Sequence, residues 1–216
     1  MNSLSKVELV DSMGSAKTIV NVARVSFNHD LKAFRDNAAK LYPSLDDRDK
    51  RLIKFLWREK HTSPFRHNYF QFKIDAPIFV LRQWMKHQVG CSWNEASGRY
   101  IEFEEMYYKP ENMRAAIKNV KQGSGGPLPD DINNQALEIY NNACKNSFKA
   151  YRELLDLGVA KECARMSLPL SLMTKCVWTC SLHALLHFLE LRLDQHSQKE
   201  TRDFAKAVLA IVKELH

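Results

Sequence analysis

The 216-residue chain predicts an α+β fold, a helix-rich single domain over residues 1–216 with a small sheet. Three observations carry this. Apolar residues recur at helical spacing through 132–157, 167–193 and 197–215. One segment, "HNYFQFKID", instead alternates, with Phe70, Phe72 and Ile74 on one side, and predicts a strand. Only one Gly/Pro/Ser cluster, "KQGSGGPLPDD" (121–131), interrupts the chain, and it reads as a flexible surface loop rather than a domain boundary.

Near the N-terminus a short apolar run, "KVELVD", precedes "AKTIVNVARVSF", whose apolar positions 19, 20, 22, 23 and 25 predict a short helix. Residues 46–60 predict a second helix, with acidic residues in the first turn and Leu52, Ile53, Leu56 and Trp57 on one face. After the strand, Asp75 is a cap candidate and Pro77 suits the first turn of a helix, "PIFVLRQWMKHQ", that Gly90 ends. Along that helix Arg82 and Lys86 form one i,i+4 pair, Gln83 and His87 another. Ser92 and Glu95 have capping-box spacing and predict a further helical turn. Ser167 and Pro169 are the cap and first turn of the helix over 167–193.

Composition bounds the function classes. With 45% hydrophobic and 26% charged residues, the chain reads as an ordinary soluble globular protein. No apolar run approaches the roughly 18 residues a membrane span needs. The N-terminus lacks the basic-then-apolar pattern of a signal peptide, so a cytoplasmic location without a membrane partner is expected. Five cysteines, an odd number, are expected as free thiols. A net charge of +7 favours an anionic partner, although a basic surface also serves solubility alone.

Cys176, Cys180, His183 and His187 are metal-ligand types at short spacing. On one straight helix the first and last lie about 16 Å apart along the axis, too far to share one zinc. No metal is expected. A helical wheel over 178–196 puts His183, His187, Glu190 and Asp194 on one face and Ser181, Leu185, Phe188, Arg192 and His196 on the other. Arg192 thus sits among apolar neighbours, where a guanidinium needs an internal carboxylate or a bound anion. Two unusual faces suggest a helix covered on both sides, as in an oligomer core.

Six blocks occur in a recognisable order: "ARVSF" (23–27), "HTSPFRH" (61–67), "APIFVLRQWMKHQ", "SWNEASGRY", "ARMSLPL" (164–170) and "LELRLDQHSQ" (189–198). Together with the strand they resemble the flavin-dependent thymidylate synthases over most of the chain. Only the segment around 110–140 has no counterpart. The resemblance implies a helix-rich α+β domain with a small antiparallel sheet, and a homotetramer whose active sites form between subunits. It also implies FAD as cofactor, NADPH and methylenetetrahydrofolate as co-substrates, and conversion of dUMP to dTMP without an enzyme nucleophile on the pyrimidine.

Residue by residue, the same resemblance implies that Gln83, Lys86, Glu95, Ser97, Gly98, Arg99, Arg165 and Arg192 bind dUMP, with Arg192 and Ser97 the catalytic candidates. Ser97, Gly98 and Arg99 would offer backbone donors and a guanidinium to the phosphate. Arg192 would face the uracil ring and stabilise negative charge there. Ser26, Ser63, Arg66, Lys86, His87, Gln88, Asn94, Glu95, Ser181, His183, His187 and His196 fall at flavin-site positions, and His61 at a folate or NADPH position.

The chain also departs from the pattern. Lys86-His87-Gln88 replaces Arg-His-Arg, and one residue is inserted before the "NE" pair, with Cys91 the candidate. Arg66 stands where glutamate is usual, and Ser181, His183 and His187 replace Asn, Arg and Asn. Lysine keeps the charge without the planar fork, and glutamine loses the charge. One reading is an active, divergent branch in which Arg66 and His183 restore flavin-phosphate contacts. The other is a related C5-modifying enzyme acting on another pyrimidine nucleotide or making a hydroxymethyl product. A third class, a non-catalytic nucleotide- or RNA-binding protein, would need exposed aromatics. Phe70, Phe72, Phe79, Trp84, Trp178 and Phe188 instead have core spacing, so no nucleic-acid partner is expected.

Overall fold

A computed structural model describes residues 5–27, 45–119 and 123–215. In chain order its elements are β1 (Lys6–Met13), α1 (Ala16–Arg24), α2 (Asp47–Arg58), a 3-10 turn (Ser63–His67), β2 (Tyr69–Pro77), α3 (Ile78–Trp84) and β3 (Cys91–Glu95). There follow α4 (Asp130–Asp156), α5 (Lys161–Ala164), a 3-10 turn (Arg165–Ser167), β4 (Met173–Ser181), α6 (Leu182–Arg192) and α7 (Lys199–Glu214). The strands form one sheet in the order β1-β2-β4-β3, with every neighbouring pair antiparallel. The expected α+β class with a small antiparallel sheet is therefore observed.

Alternation in β2 and β4 builds the core. Phe70, Phe72 and Ile74 face Cys180, Trp178 and Cys176 across the register, and all six are buried. Trp178 stacks on Phe72 (5.5 Å between centroids) and Trp93 (5.4 Å), and meets Trp84 edge-on at 5.2 Å. Phe188 of α6 stacks on Trp84 at 4.6 Å, and Phe204 of α7 closes the cluster. Each such pair adds about 0.5–1.5 kcal/mol beyond burial. Of the six aromatics with core spacing, Phe79 alone is only partly buried.

A second cluster, Tyr107, Cys144, Phe148 and Leu172, docks α4 against the segments before and after it. At the other end, Asp49 ties α2 to α1 by accepting from Lys17 at 2.5 Å and Arg24 at 2.7 Å. Burial raises its pKa, but these two cations more than offset that and hold it below the ordinary carboxylate value.

Several sequence expectations are corrected. Residues 167–193 are not one helix: a 3-10 turn ends at Ser167, 173–181 form β4, and only 182–192 are helical. Ser167 caps nothing; its Oγ donates to the Ala164 carbonyl at 2.9 Å. β4 lies between β2 and β3, and its ladders on both sides outweigh helical spacing. Asp75 belongs to β2 rather than a cap, and Pro77 is the α3 N-cap residue rather than part of its first turn.

The helix α3 ends at Trp84, so neither expected i,i+4 pair forms along it. Lys86, His87 and Gln88 turn into Gly90, whose φ of +72° favours glycine and where a Cβ would meet Ser181 Oγ at 2.8 Å. Ser92 and Glu95 are paired in β3 and open no helix. In the predicted loop, residues 121 and 122 lie outside the described residues, and Asp130 and Asp131 already belong to α4. All five cysteines are free.

Candidate functional site

Arg192 ends α6, and its guanidinium spans the turn after α3. Nε donates to His87 Nε2 at 3.0 Å, and Nη2 donates to the Gln83 carbonyl at 3.2 Å. Because arginine only donates, His87 Nε2 must be unprotonated. Burial, then the Arg192 and His187 charges, drive the His87 pKa down to about 4. Burial also lowers that of Arg192. The expectation of an apolar surround is corrected: Arg192 is half-buried, held by two neutral acceptors.

Gln83 and Arg192 open onto a cavity of about 1550 Å³ that His196 also lines. The His196 ring is exposed, with Nδ1 2.8 Å from Asp194 Oδ1. Along the cavity lining runs a chain of hydrogen bonds that sequence patterns do not reveal. Gln83 Nε2 donates to Gln198 Oε1 at 2.5 Å, and Gln198 Nε2 to Glu200 Oε2 at 3.0 Å. Arg114 then grips Glu200 with two bonds of 2.7 and 3.0 Å. Gln198 is the N-cap residue of α7 and Glu200 lies in its first turn, where a carboxylate suits the helix dipole. Arg114 comes from the segment that no block covered, and nothing in the sequence pairs it with a residue 86 positions away.

A second group follows β3. Ser97–Ile101 form a tight turn in which Tyr100 and Ile101 both donate to the Ser97 carbonyl, and Arg99 N donates to Ser97 Oγ at 3.3 Å. Gly98 is buried there: a Cβ would lie 2.5 Å from the Phe103 ring and 3.1 Å from Arg165 Cδ. The turn's glycine thus lets Arg165 approach the backbone. The side chains of Arg99 and Arg165 are exposed, and Arg99 Nε lies 3.3 Å from Glu162. No hydrogen bond or ion pair joins this group to Gln83 and Arg192 among the described residues.

A third group extends from the first. His187 lies edge-on to His87 at 5.6 Å, and His183, one turn earlier, meets Trp57 at 6.3 Å. Burial lowers the His183 pKa, and the nearby Arg66 and His187 charges lower it further. Arg66 is anchored by Thr62 Oγ1 at 3.0 Å in the turn that carries Ser63. Arg66, His183, His187 and His87 therefore form one row.

Other predicted residues stand apart. Ser181 is buried and caps α6 by accepting from Ala184 N–H, a structural role. Lys86, Gln88, Asn94 and Glu95 are exposed around β3, and Ser26 is exposed after α1. His61 meets Phe55 edge-on at 6.0 Å. The single helix expected to carry Cys176, Cys180, His183 and His187 does not exist, since the two cysteines lie on β4 and the two histidines on α6.

A large polar cavity lined by both cationic and acidic side chains, on a mixed fold with a small antiparallel sheet, defines the class as an α+β protein with a polar ligand-sized site. More specifically, the chain belongs to the thymidylate synthase complementing protein family, whose model matches residues 8–216. A flavin-dependent thymidylate synthase of Thermus thermophilus is 45% identical over 208 residues, 96% of this chain and 71% of that protein. Another, of Kosmotoga olearia, is 39% identical over 96% of this chain and 84% of its own. Among solved structures, a UMP/dUMP methylase from Streptomyces cacaoi bound with 5-Br UMP superposes with a TM-score of 0.81 at 32% identity. That match covers 98% of this chain and 89% of that one. The same methylase bound with 5-Br dUMP gives 0.82 at 34% identity, over 98% and 91%. No helix among the described residues is long and apolar enough to cross a membrane.

Proposed function

We propose that the chain is a flavin-dependent thymidylate synthase, methylating dUMP to dTMP with FAD as cofactor, methylenetetrahydrofolate as carbon donor and NADPH as reductant. The observation that carries this is the Gln83–His87–Arg192 arrangement, which places a directed guanidinium on the large cavity and joins it through His187 to a row of imidazoles that ends at Arg66. That row fits a flavin dinucleotide: Arg66 offers a fork for diphosphate, and the imidazoles of His183 and His187 offer further polar contacts. The flavin, when bound, supplies the hydride equivalent.

The protein's own work is electrostatic. Arg192, oriented by His87 and Gln83, stabilises negative charge developing on the pyrimidine. Ser97, Gly98, Arg99 and Arg165 receive the phosphate with backbone donors and two guanidinium groups. Among the described residues no hydrogen bond or ion pair joins these two groups within one chain, which supports active sites shared between subunits of a homotetramer. His61 remains a candidate for folate or NADPH contact.

A second reading is action on UMP as well as dUMP, favoured by the methylase structures bound with bromo derivatives of both nucleotides. Anaerobic NADPH should bleach the flavin absorbance of the purified yellow protein, and product analysis with dUMP, UMP and dCMP separates the readings. A colourless protein that takes up no FAD would sink both.

A further inference from the structure

We propose that Glu200, clamped by Arg114, is a positioning residue that sets the orientation of the Gln83 amide in the nucleotide site. This rests on the nucleotide reading of Gln83 and Arg192 given above.

Matching donors to acceptors fixes each amide in turn. An ionised carboxylate only accepts, so the Gln198 atom 3.0 Å from Glu200 Oε2 must be its NH2 group. That forces the Gln198 carbonyl oxygen towards Gln83, 2.5 Å away, and so forces the NH2 group of Gln83 to face it. The Gln83 oxygen is left facing Thr201, whose hydroxyl lies 3.4 Å away and donates to it. The sequence of constraints starts at a single carboxylate.

Glu200 can play this part only while charged. It is 5% exposed, where an unpaired carboxylate is costly. Two parallel bonds from Arg114 compensate, and Arg114 is itself held by Ser124 Oγ at 2.6 Å. Arg114 also pairs with Pro127 in an antiparallel backbone bridge, and both residues line the cavity. The stretch that lacked a counterpart in the sequence blocks thereby acquires a role, supplying the cation that keeps the relay one-directional. The main-chain carbonyl of Gln83 separately accepts from Arg192 at 3.2 Å, so the residue whose side-chain amide the relay orients also contacts the guanidinium through its backbone.

Glu200→Gln tests this closely, because an amide at 200 can donate as well as accept and lets both glutamines flip. FAD-loaded full-length protein would be titrated with dUMP by calorimetry, alongside Gln83→Ala and the double variant. Losing a charge-assisted constraint of this kind should weaken dUMP binding about tenfold in Glu200→Gln, with flavin content and the KM for NADPH unchanged. If Glu200 acts through Gln83, Gln83→Ala/Glu200→Gln should bind no more weakly than Gln83→Ala alone. Effects that multiply in the double variant, or unchanged dUMP affinity in Glu200→Gln, would overturn the proposal. Should Glu200→Gln fail to fold, Arg114→Met and Gln198→Met in the same cycle carry the same expectations and the same refuting outcomes. A wild-type holoprotein that binds no dUMP would sink the nucleotide reading itself, and the relay with it.

Discussion

The Arg192 guanidinium donates through Nε to Nε2 of His87 across 3.0 Å, which makes a neutral histidine the orienting partner of the arginine facing the cavity. Protonation of His87 would remove the acceptor and set cation against cation, with His187 also close at 5.6 Å. The folded pKa, about 4, lies below the ordinary 6.5, so the unfolded chain binds the extra proton first. His87 therefore contributes stability that is present above pH 6.5 and lost as pH falls towards 4. Between pH 7 and 5 the loss should be about 2 kcal/mol. Urea unfolding of wild type and His87→Asn at both pH values checks this, and equal pH dependence in the two proteins would refute it.

Arg192→Ala should abolish turnover while flavin is retained. Loss of one oriented electrostatic donor costs about 10²–10³ in kcat. Steady-state kinetics with dUMP, beside the visible spectrum of the purified variant, decides the matter. Near-wild-type turnover would remove Arg192 from the chemistry.

Gly98→Ala should weaken both the fold and nucleotide binding, since the added Cβ would lie 2.5 Å from the Phe103 ring and 3.1 Å from Arg165 Cδ. Overpacking of this kind costs about 1–3 kcal/mol. Thermal denaturation and dUMP titration should both shift. Wild-type values in both would mean that the turn opens freely.

Phe188→Ala tests the coupling of core to site. Phe188 stacks on Trp84 at 4.6 Å and meets His87 edge-on at 5.3 Å. The cavity should cost about 3–5 kcal/mol in urea unfolding. It should also raise the KM for dUMP, because His87 loses a wall. A stability loss with unchanged KM would separate the two.

On the flavin side, Arg66→Ala and His183→Ala should each lower FAD retention. Dialysis followed by absorbance gives the bound fraction. Full retention in both variants would leave the Lys86–Gln88 departure uncompensated by this row.

Local chemistry was legible where short-range signals were unambiguous. The acidic first turn of α2 is present as Asp47 and Asp49, the Phe70/Phe72/Ile74 alternation lies in β2, and the long helix expected over 132–157 is present as Asp130–Asp156. Segment 173–181 reads as helix in the sequence because Cys176, Trp178, Cys180, Leu185 and Phe188 are apolar at spacings that suit either period. A short apolar run cannot choose between strand and helix by itself. Ser92 and Glu95 likewise have capping spacing, but strand pairing with β4 claims their backbone.

The sequence by itself determined which side-chain types stand in which ordered blocks, because both are local properties. Tertiary structure alone decided which of them meet. Arg192 reaches His87 across 105 positions and Arg114 reaches Glu200 across 86, contacts set by the packing of α3, α6 and α7. Packing likewise gave the Ser181 hydroxyl to the cap of α6. The physical reason is that hydrogen bonds are directional and short-ranged, so what a residue does depends on the one or two neighbours that folding brings within about 3 Å.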